Sequence, residues 1–550
     1  MSGSPVWLEQ LIGLSMPAAA LLGVLLAWLR PSALKTNSVQ LRSLLQRWLP
    51  ALAIALLIVW GVLLRYHQLD QPFNSDQPTQ RIFNATYSLN EIFAFQYNDS
   101  RHPPLYYVVL HFFSLHRLDP EWMRLPAVIS TGALFVVLGV FVSRLWGGLS
   151  AFVAVLLVVI SAPLWPLTND VSDVPQYLAL ALLTVAITST ALSNPVGSMR
   201  RWYRDPAWLV AIGCAATLWT YYTGALLVAS VAITVAIHDR RRRWIIPAIL
   251  TARLCYAPTK YGLRTIQQDT HTRTLAEQFP LHHWGQWSVP EYITAVLELI
   301  GPTPWLAVLP AVFGFAQTAR RRWTPLHTLT VVWLTASVGV VLGSPSTVRM
   351  KPYYLMHLVP LHALWCGAAI TTMAGRHWLN RSIGGALVGM TLVQAGTALK
   401  SREYITYDTS IARTIQAFKA ADGHHMVFDI SNIYTQAVYY GIADPMAMYK
   451  ACRIKEPDRT IYCENNGFIV EGLSEQTTMA TGWELRAVEK WRAIQSPHYF
   501  LANKRYPNAP LYSAVTQRCE QTSGDDEIQL WYCDPEPPQG TASPSSTAEP

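Results

Sequence analysis

The chain has 550 residues, of which 51% are hydrophobic and 14% are charged. A soluble globular protein carries about 25% charged residues, so the composition excludes a soluble single-domain enzyme. The apolar residues form about a dozen runs within residues 6–399, most of them about long enough for a helix to cross a bilayer. The sequence therefore predicts an α-helical protein that spans the membrane many times.

The charges divide the chain near residue 400. Residues 1–400 carry 29 Lys and Arg against 15 Asp and Glu, a net charge of +14, whereas residues 401–550 carry 13 against 19, a net charge of −6. The basic residues cluster in short connections between apolar runs, which the positive-inside rule assigns to the cytoplasm. The overall charge of +8 therefore gives no indication of a nucleic-acid partner.

The apolar runs can be assigned to membrane crossings in chain order. With the basic connections in the cytoplasm, the predicted spans are 6–29, 49–65, 125–145, 148–168, 176–194, 207–220, 222–237, 244–258, 300–318, 325–343, 353–374 and 383–399. A further crossing at 103–116 would place Arg240–Arg243 outside, so we expect that segment to lie in or dip into the outer leaflet. The predicted total is about 12 to 13 transmembrane helices.

The acidic residues favour chemistry on the outer side. Of the 15 before residue 400, only Asp205 and Asp239 fall in predicted cytoplasmic connections. The first outer loop, 66–124, is long and rich in Asp, Asn, Gln, Arg, His and Tyr. Connections of that length within a compact domain are usually functional, although a solvated connector is the simpler alternative.

Beyond residue 400 the pattern becomes that of a small soluble α/β domain. We predict this domain at 401–535, with a helix at 406–420, a buried strand at 426–430 and an edge strand at 528–533. The last segment, 536–550, is rich in Pro, Ser and Thr and is expected to be disordered.

The cysteines also change in character near residue 400. Cys214, Cys255 and Cys366 lie in apolar runs, and four more follow in the polar domain, at Cys452, Cys463, Cys519 and Cys533. An even number suggests two disulfides and an extracytoplasmic domain, with three possible pairings. Free thiols or a metal site are the alternatives.

An ordered series of motifs runs through residues 50–400. His-Pro-Pro-Leu-Tyr-Tyr at 102–107 follows an Asp-bearing loop and precedes Met-Arg-Leu-Pro at 123–126. A second outer Asp and a late Arg before 353–361 complete the series. It resembles the GT-C superfamily of polyprenyl-phosphate-sugar glycosyltransferases. The closer likeness is to the protein O-mannosyltransferase and aminoarabinose-transferase branch, glycosyltransferase family 39.

The resemblance implies a GT-C-like catalytic domain at residues 1–400 of a multi-pass protein in the plasma (inner) membrane. It implies transfer of a sugar from a polyprenyl-phosphate donor to an extracytoplasmic acceptor. Because a lipid phosphate is already a good leaving group, such a site needs a carboxylate base and positive charge rather than a general acid. The partners expected are the donor, the acceptor and the bilayer, without nucleic acid.

Two carboxylates match the family's acidic positions. Asp76 matches the catalytic Asp and is the predicted base, and Gln77 follows it where the family usually has Glu. Asp173 matches the second acidic position and is predicted to orient groups or to face the acceptor. A turn or cap role for Asp76 and a helix cap for Asp173 are the alternatives.

The predicted substrate-binding residues form two groups beside the membrane. Arg101, His102 and Tyr106 match the family region that meets the lipid phosphate. The second group matches a late Arg-Tyr signature and consists of Arg349, Lys351 and Tyr353. Interfacial anchoring is the alternative for such charges beside spans.

No cofactor is predicted, and Gln77 favours a metal-independent enzyme, with a divalent cation left open. The chain has no Walker A lysine loop and no dinucleotide-binding glycine motif. Two other functions stay open: a transporter or flippase of a lipid-linked substrate, and a non-catalytic membrane subunit that keeps the architecture.

Overall fold

The structure is a computed structural model. It describes residues 39–66, 69, 76–95, 102–168, 170–193, 205–239, 244–277, 304–343, 355–373, 410–428, 461–465, 468–472, 491–494, 496–503, 509–524 and 528–534, with scattered residues at 294, 298–299 and between 382 and 393. The predicted span 6–29 and the predicted disordered segment 536–550 lie outside these residues.

Most of the described chain is helical. The helices, in chain order, are α1 (Val39–Tyr66), α2 (Asp76–Ala85), α3 (Leu89–Phe93), α4 (Pro104–Ser114), α5 (Pro120–Trp146), α6 (Gly148–Val159), α7 (Leu164–Thr168), α8 (Val174–Ser193), α9 (Ala207–Thr220), α10 (Gly224–His238), α11 (Ile245–Glu277), α12 (Pro304–Arg321), α13 (Pro325–Gly343), α14 (Leu358–Met373), α15 (Ser410–Ala420) and α16 (Ala509–Arg518).

Several helices have the composition of membrane spans. Within the described residues, α5, α8 and the part of α1 from Leu49 are long and apolar enough to cross a membrane. Helix α4 has 11 residues. A helix of that length rises about 16 Å, whereas the hydrocarbon core of a bilayer is about 30 Å thick, so α4 is too short to cross alone. The placement of 103–116 in or dipping into the outer leaflet stays a prediction.

The structure corrects the end of one predicted span. The span 244–258 was expected to lead into an outer connection, but α11 continues without a break to Glu277. The hydrophobic pattern marks where the membrane ends and does not mark where the helix ends. Residues 259–277 are polar but include good helix formers such as Gln, Leu, Arg and Ala, which continue the helix in water.

The predicted span 148–168 consists of two helices that are separated near Pro163. A buried arginine donates to a carbonyl that this interruption leaves without a partner. Proline has no N–H, so the carbonyl of Val159 loses its usual partner four residues later. Arg65, on α1, donates from Nη2 to that carbonyl at 3.1 Å. It also donates from Nε to Thr168 Oγ1 at 2.8 Å and from Nη1 to its own helix at Gly61, 2.8 Å away.

Aromatic rings enclose the same guanidinium group. Its central carbon lies 5.2 Å from the ring centre of Phe135 and 4.8 Å from that of Trp165, and Arg65 is fully buried. Cation–π attraction offsets part of the cost of burying a charge. Arg65 thus joins α1, the end of α6 and α7, just before both outer loops begin.

The C-terminal part forms a six-stranded mixed sheet in the order β2-β3-β1-β4-β6-β5. Its strands are β1 (His425–Phe428), β2 (Ile461–Asn465), β3 (Phe468–Gly472), β4 (His498–Asn503), β5 (Glu520–Gly524) and β6 (Ile528–Cys533). The helix and first strand agree with the predictions. The prediction of β6 as an edge strand was wrong, because β5 pairs with its outer side.

A disulfide joins the end of α16 to the end of β6, between Cys519 and Cys533. This is one of the two disulfides that the sequence suggests for the C-terminal domain. Cys452 and the side chain of Cys463 lie outside the described residues, so the second predicted disulfide stays a prediction.

The C-terminal sheet packs against the first outer loop through one of its two faces. Met426, Leu501 and Leu530 belong to the same buried apolar cluster as Phe83 on α2 and Tyr107 on α4. Their neighbours on β1 and β4, which point to the opposite face, form a separate core with α16. The alternation of a strand therefore gives one face to the domain's own core and the other to the outer loop.

We predict that Arg65→Lys destabilises the protein by about 2 kcal/mol or more, because one ammonium group cannot reach three acceptors and leaves buried carbonyls unpaired. Thermal unfolding in detergent measures the change, with Arg144→Lys on the exposed side of α5 as the control. Equal melting temperatures for both variants would contradict the role given to Arg65.

Candidate active site

A buried carboxylate joins three segments on the predicted outer side. The Nδ1–H of His102 donates to Oδ2 of Asp173 at 2.8 Å, and Nη2 of Arg81 lies 3.5 Å from Oδ1. The side chain of Asp173 is 1% exposed. Because a buried charge is costly unless it is paired and hydrogen-bonded, the cationic Arg81 and the hydrogen-bond donor His102 account for the position of the carboxylate.

The local sequence explains the positions of His102 and Asp173. His102 precedes two prolines, which hold the chain extended before α4 begins at Pro104. Asp173 precedes α8, but Ser172 rather than the Asp173 carboxylate accepts from the N–H of Val174, at 3.3 Å. The alternative that Asp173 caps α8 with its side chain is therefore not the observed arrangement, and the carboxylate faces His102 and Arg81.

A second buried arginine links the two outer loops beside this pair. Arg124, in the Met-Arg-Leu-Pro motif, donates from Nη1 to the carbonyl of Leu69 at 2.7 Å. It also interacts electrostatically with Asp170, whose Oδ1 accepts from the N–H of Val171 at 2.8 Å. Arg81 donates to the carbonyl of Val171 as well, so both arginines hold the second loop.

The two carboxylates of the second loop have opposite pKa shifts. Burial alone would raise the pKa of Asp173, but His102 and Arg81 lower it below its usual range. Burial raises the pKa of Asp170, and the attraction of Arg124 only partly offsets this effect. Asp173 is therefore held as an anion in the folded protein, whereas burial disfavours the charge of Asp170.

Among the predicted site residues, the structure brings Asp173, His102 and Tyr106 together. The Tyr106 hydroxyl is buried and interacts electrostatically with Arg81 and Asp173. Asp76 is the first residue of α2, but its side chain is not among those described. The remaining predicted residues lie outside the described residues: Arg101, Arg349, Lys351 and Tyr353.

Sequence reasoning missed two residues of this cluster, Arg81 and Arg124. Both are basic residues on the predicted outer side, against the positive-inside trend, and that exception was the available signal. A polar helix such as α2 gave no indication that Arg81 would be buried. The Arg124 motif was recognised as part of the family series, but no role followed from it.

A divalent cation at the described part of the site would compete with contacts already present. Oδ2 of Asp173 accepts from His102, whereas Oδ1 lies 3.5 Å from Nη2 of Arg81 and has no hydrogen-bond partner among the described residues. No cluster of three His, Cys, Asp or Glu side chains suited to a metal occurs in the part of the chain that the structure describes.

No known protein family and no curated protein matches the chain in sequence. Solved structures do match its fold. The chain is similar to ArnT from Cupriavidus metallidurans bound to undecaprenyl phosphate, with a TM-score of 0.55 and 13% identity over 88% of this chain and 99% of that one. The apo state of that protein matches with a TM-score of 0.54, 13% identity and the same coverage.

A weaker likeness connects the chain to the Archaeoglobus fulgidus oligosaccharyltransferase tethered with an acceptor peptide. Its TM-score is 0.47, with 10% identity over 90% of this chain and 75% of that one. The two ArnT matches show a common fold, and the mostly helical structure with apolar helices agrees with the predicted fold class.

We predict different effects of two matched variants on the melting temperature at pH 7. Asp173→Asn lowers the melting temperature because it leaves Arg81 without its buried counter-ion, whereas Asp170→Asn leaves it unchanged or raises it because a disfavoured charge is removed. Thermal unfolding in detergent measures both.

The same pKa shifts set the pH dependence. The stabilisation from Asp173 is present above the pKa of an unfolded Asp, about 3.9, and is lost as the pH falls through the lowered folded pKa. The raised pKa of Asp170 has the reverse effect, since its contribution is lost as the pH rises. A gap between wild type and Asp173→Asn that widens below about pH 4 would contradict this assignment.

Proposed function

We propose that the protein is an integral-membrane glycosyltransferase that moves a sugar from a polyprenyl-phosphate donor to an extracytoplasmic acceptor. The observation that carries this proposal is the fold likeness to ArnT bound to undecaprenyl phosphate, which extends over 99% of that chain. The buried cluster around Asp173 supports it, because it lies where the family's motifs place the outer site.

In the proposed reaction, Asp76 accepts the proton of the attacking acceptor hydroxyl. The acceptor oxygen forms a bond to the anomeric carbon of the sugar, and the bond from that carbon to the phosphate oxygen breaks. The phosphate remains on the polyprenyl chain and carries away the electron pair. Asp76 is the first residue of α2, and the dipole of a helix favours an anionic carboxylate near its N-terminus.

Positive charge stabilises the departing phosphate in this proposal. Arg101, His102, Arg349 and Lys351 are the proposed phosphate-side groups, and Tyr106 and Tyr353 are proposed to contact the substrate. The hydrogen bond from His102 to Asp173 supports an orienting role for Asp173, since a carboxylate that accepts from Nδ1 fixes the orientation of the imidazole ring.

The proposal includes a finer architecture. Residues 1–400 form the catalytic domain with about 12 to 13 crossings of the plasma (inner) membrane, and loop 66–124 lies outside. Residues 401–535 form an extracytoplasmic domain, and 536–550 form a tail. The shared apolar cluster of the C-terminal sheet and α2 supports placing both on the same side.

We predict that Asp76→Asn lowers sugar transfer by about 10²- to 10⁴-fold, the usual contribution of a general base. The assay uses purified protein, radiolabelled polyprenyl-phosphate sugars and membrane extracts as acceptor source, with and without a chelator. Because Gln77 replaces a family carboxylate, we expect transfer to survive the chelator.

The control variant is Asp119→Ser. Asp119 is an acidic residue on the predicted outer side whose carboxylate caps α5 by accepting from the N–H of Trp122 at 2.9 Å. Ser caps a helix equally well, so this variant removes a carboxylate and keeps the cap. Equal transfer by wild type and Asp76→Asn would exclude Asp76 as the base. Absence of transfer by wild type with every donor would contradict the proposed function.

A further inference from the structure

A buried histidine directly precedes α14 and contacts α8, the helix that begins next to Asp173. His357 is completely buried, and its imidazole stacks on Trp333 of α13, with ring centres 4.6 Å apart and planes 7° apart. Its Nε2 lies 2.9 Å from Oγ of Ser337, and its Nδ1 lies 3.4 Å from the hydroxyl of Tyr177 on α8.

The hydrogen-bond directions fix the tautomer of this histidine. Ser337 donates its hydroxyl proton to the carbonyl of Trp333 at 2.8 Å. Because a hydroxyl has only one proton to donate, the Ser337 oxygen must accept from Nε2–H of His357. Nδ1 is then the acceptor and faces the hydroxyl of Tyr177, which donates to it. The neutral ring is therefore held in one orientation by a donor, an acceptor and a stacked indole.

Tyr177 connects this histidine to the Asp173 pair in two ways. The N–H of Tyr177 donates to the carbonyl of Asp173 at 3.0 Å. Asp173 directly precedes α8 and Tyr177 lies in its first turn, four residues later, so the two residues share one face. The ring of Tyr177 lies 5.0 Å from that of Tyr221, and the ring of Tyr221 lies 6.2 Å from the imidazole of His102.

We propose that His357 is a positioning residue that, through Tyr177 and Tyr221, holds the His102 imidazole in hydrogen-bonding position against Asp173. The inference rests on the proposed function for its catalytic meaning, because His102 is there a phosphate-side group. Tyr177 is connected to both members of the pair. It bonds to Asp173 through the backbone, and its ring contacts Tyr221, whose ring in turn lies beside His102. Residues on α8 and α13, with Tyr221 at the end of α9 and His357 just before α14, thereby support the contact between His102 and Asp173.

The residues that connect His357 to His102 are aromatic and imidazole rings, which are suited to holding a neighbouring side chain in one position. Each ring has few rotatable bonds, so a ring packed on both sides keeps its orientation at little entropic cost. A displacement of about 1 Å in a group that binds the reacting phosphate lowers the rate by about 10²-fold. Rigid support behind His102 is therefore a requirement of the proposed chemistry.

The test uses Tyr177→Phe, which keeps the ring beside Tyr221 and removes only the hydroxyl that orients His357. We expect kcat to fall by about tenfold, with KM for the donor changed much less, because the ground-state contacts of the donor remain. The control is Thr188→Val on the same helix, which removes a buried hydroxyl without a hydrogen-bond partner among the described residues.

A second readout does not depend on enzyme activity. Thermal unfolding of Tyr177→Phe, Asp173→Asn and the double variant measures the coupling between Tyr177 and Asp173. We expect the double variant to unfold at about the temperature of the less stable single variant, as coupled residues do.

The outcomes separate the inference from the proposed function. Coupled unfolding together with the loss of kcat supports both. If the variants show coupled unfolding but the wild-type protein transfers no sugar, the structural link from His357 to the Asp173 pair holds and the proposed function is contradicted. Additive unfolding losses, or a kcat of Tyr177→Phe equal to that of Thr188→Val, would overturn the inference.

Discussion

The buried carboxylate of Asp173 imposes the strongest constraint on the predicted outer side of this protein. An ionised carboxylate with 1% exposure needs cationic or hydrogen-bonding partners, and these come from two distant segments, at Arg81 and His102. The pairing requires α2 and the start of α4 to lie against the second outer loop. Because α2 begins at Asp76, the same constraint fixes the position of the helix that carries the proposed base.

Buried arginines perform a related task where helices end. Arg65 donates to the carbonyl of Val159, which Pro163 leaves without its usual partner. Arg124 links the carbonyl of Leu69 to the second loop. In both cases a planar cation donates to a backbone carbonyl of another segment. These ends of the helices are therefore held by specific polar contacts. The C-terminal sheet adds an apolar contact to α2.

The sequence predicted the parts of the structure that follow from periodicity and composition. The apolar runs predicted the helices, and the apolar segment at 426–430 and the alternation at 528–533 predicted strands. The edge assignment of β6 was wrong because its partner, Glu520–Gly524, has no apolar residues by which a strand could be recognised. Asp173 and His102 were predicted separately, with no indication that they pair. Arg81 was missed because burial of a polar helix depends on contacts with distant segments, including the C-terminal domain.

Arg81 and Asp173 form one buried unit that joins loop 66–124 to the segment before α8. A double-mutant cycle with Arg81→Met, Asp173→Asn and both together, read by thermal unfolding in detergent, tests this pairing. Each single variant leaves one buried group without its partner, so the account predicts that the double variant loses clearly less stability than the sum of the two single losses. Losses that add would contradict the claim, because they would show that the two side chains act independently.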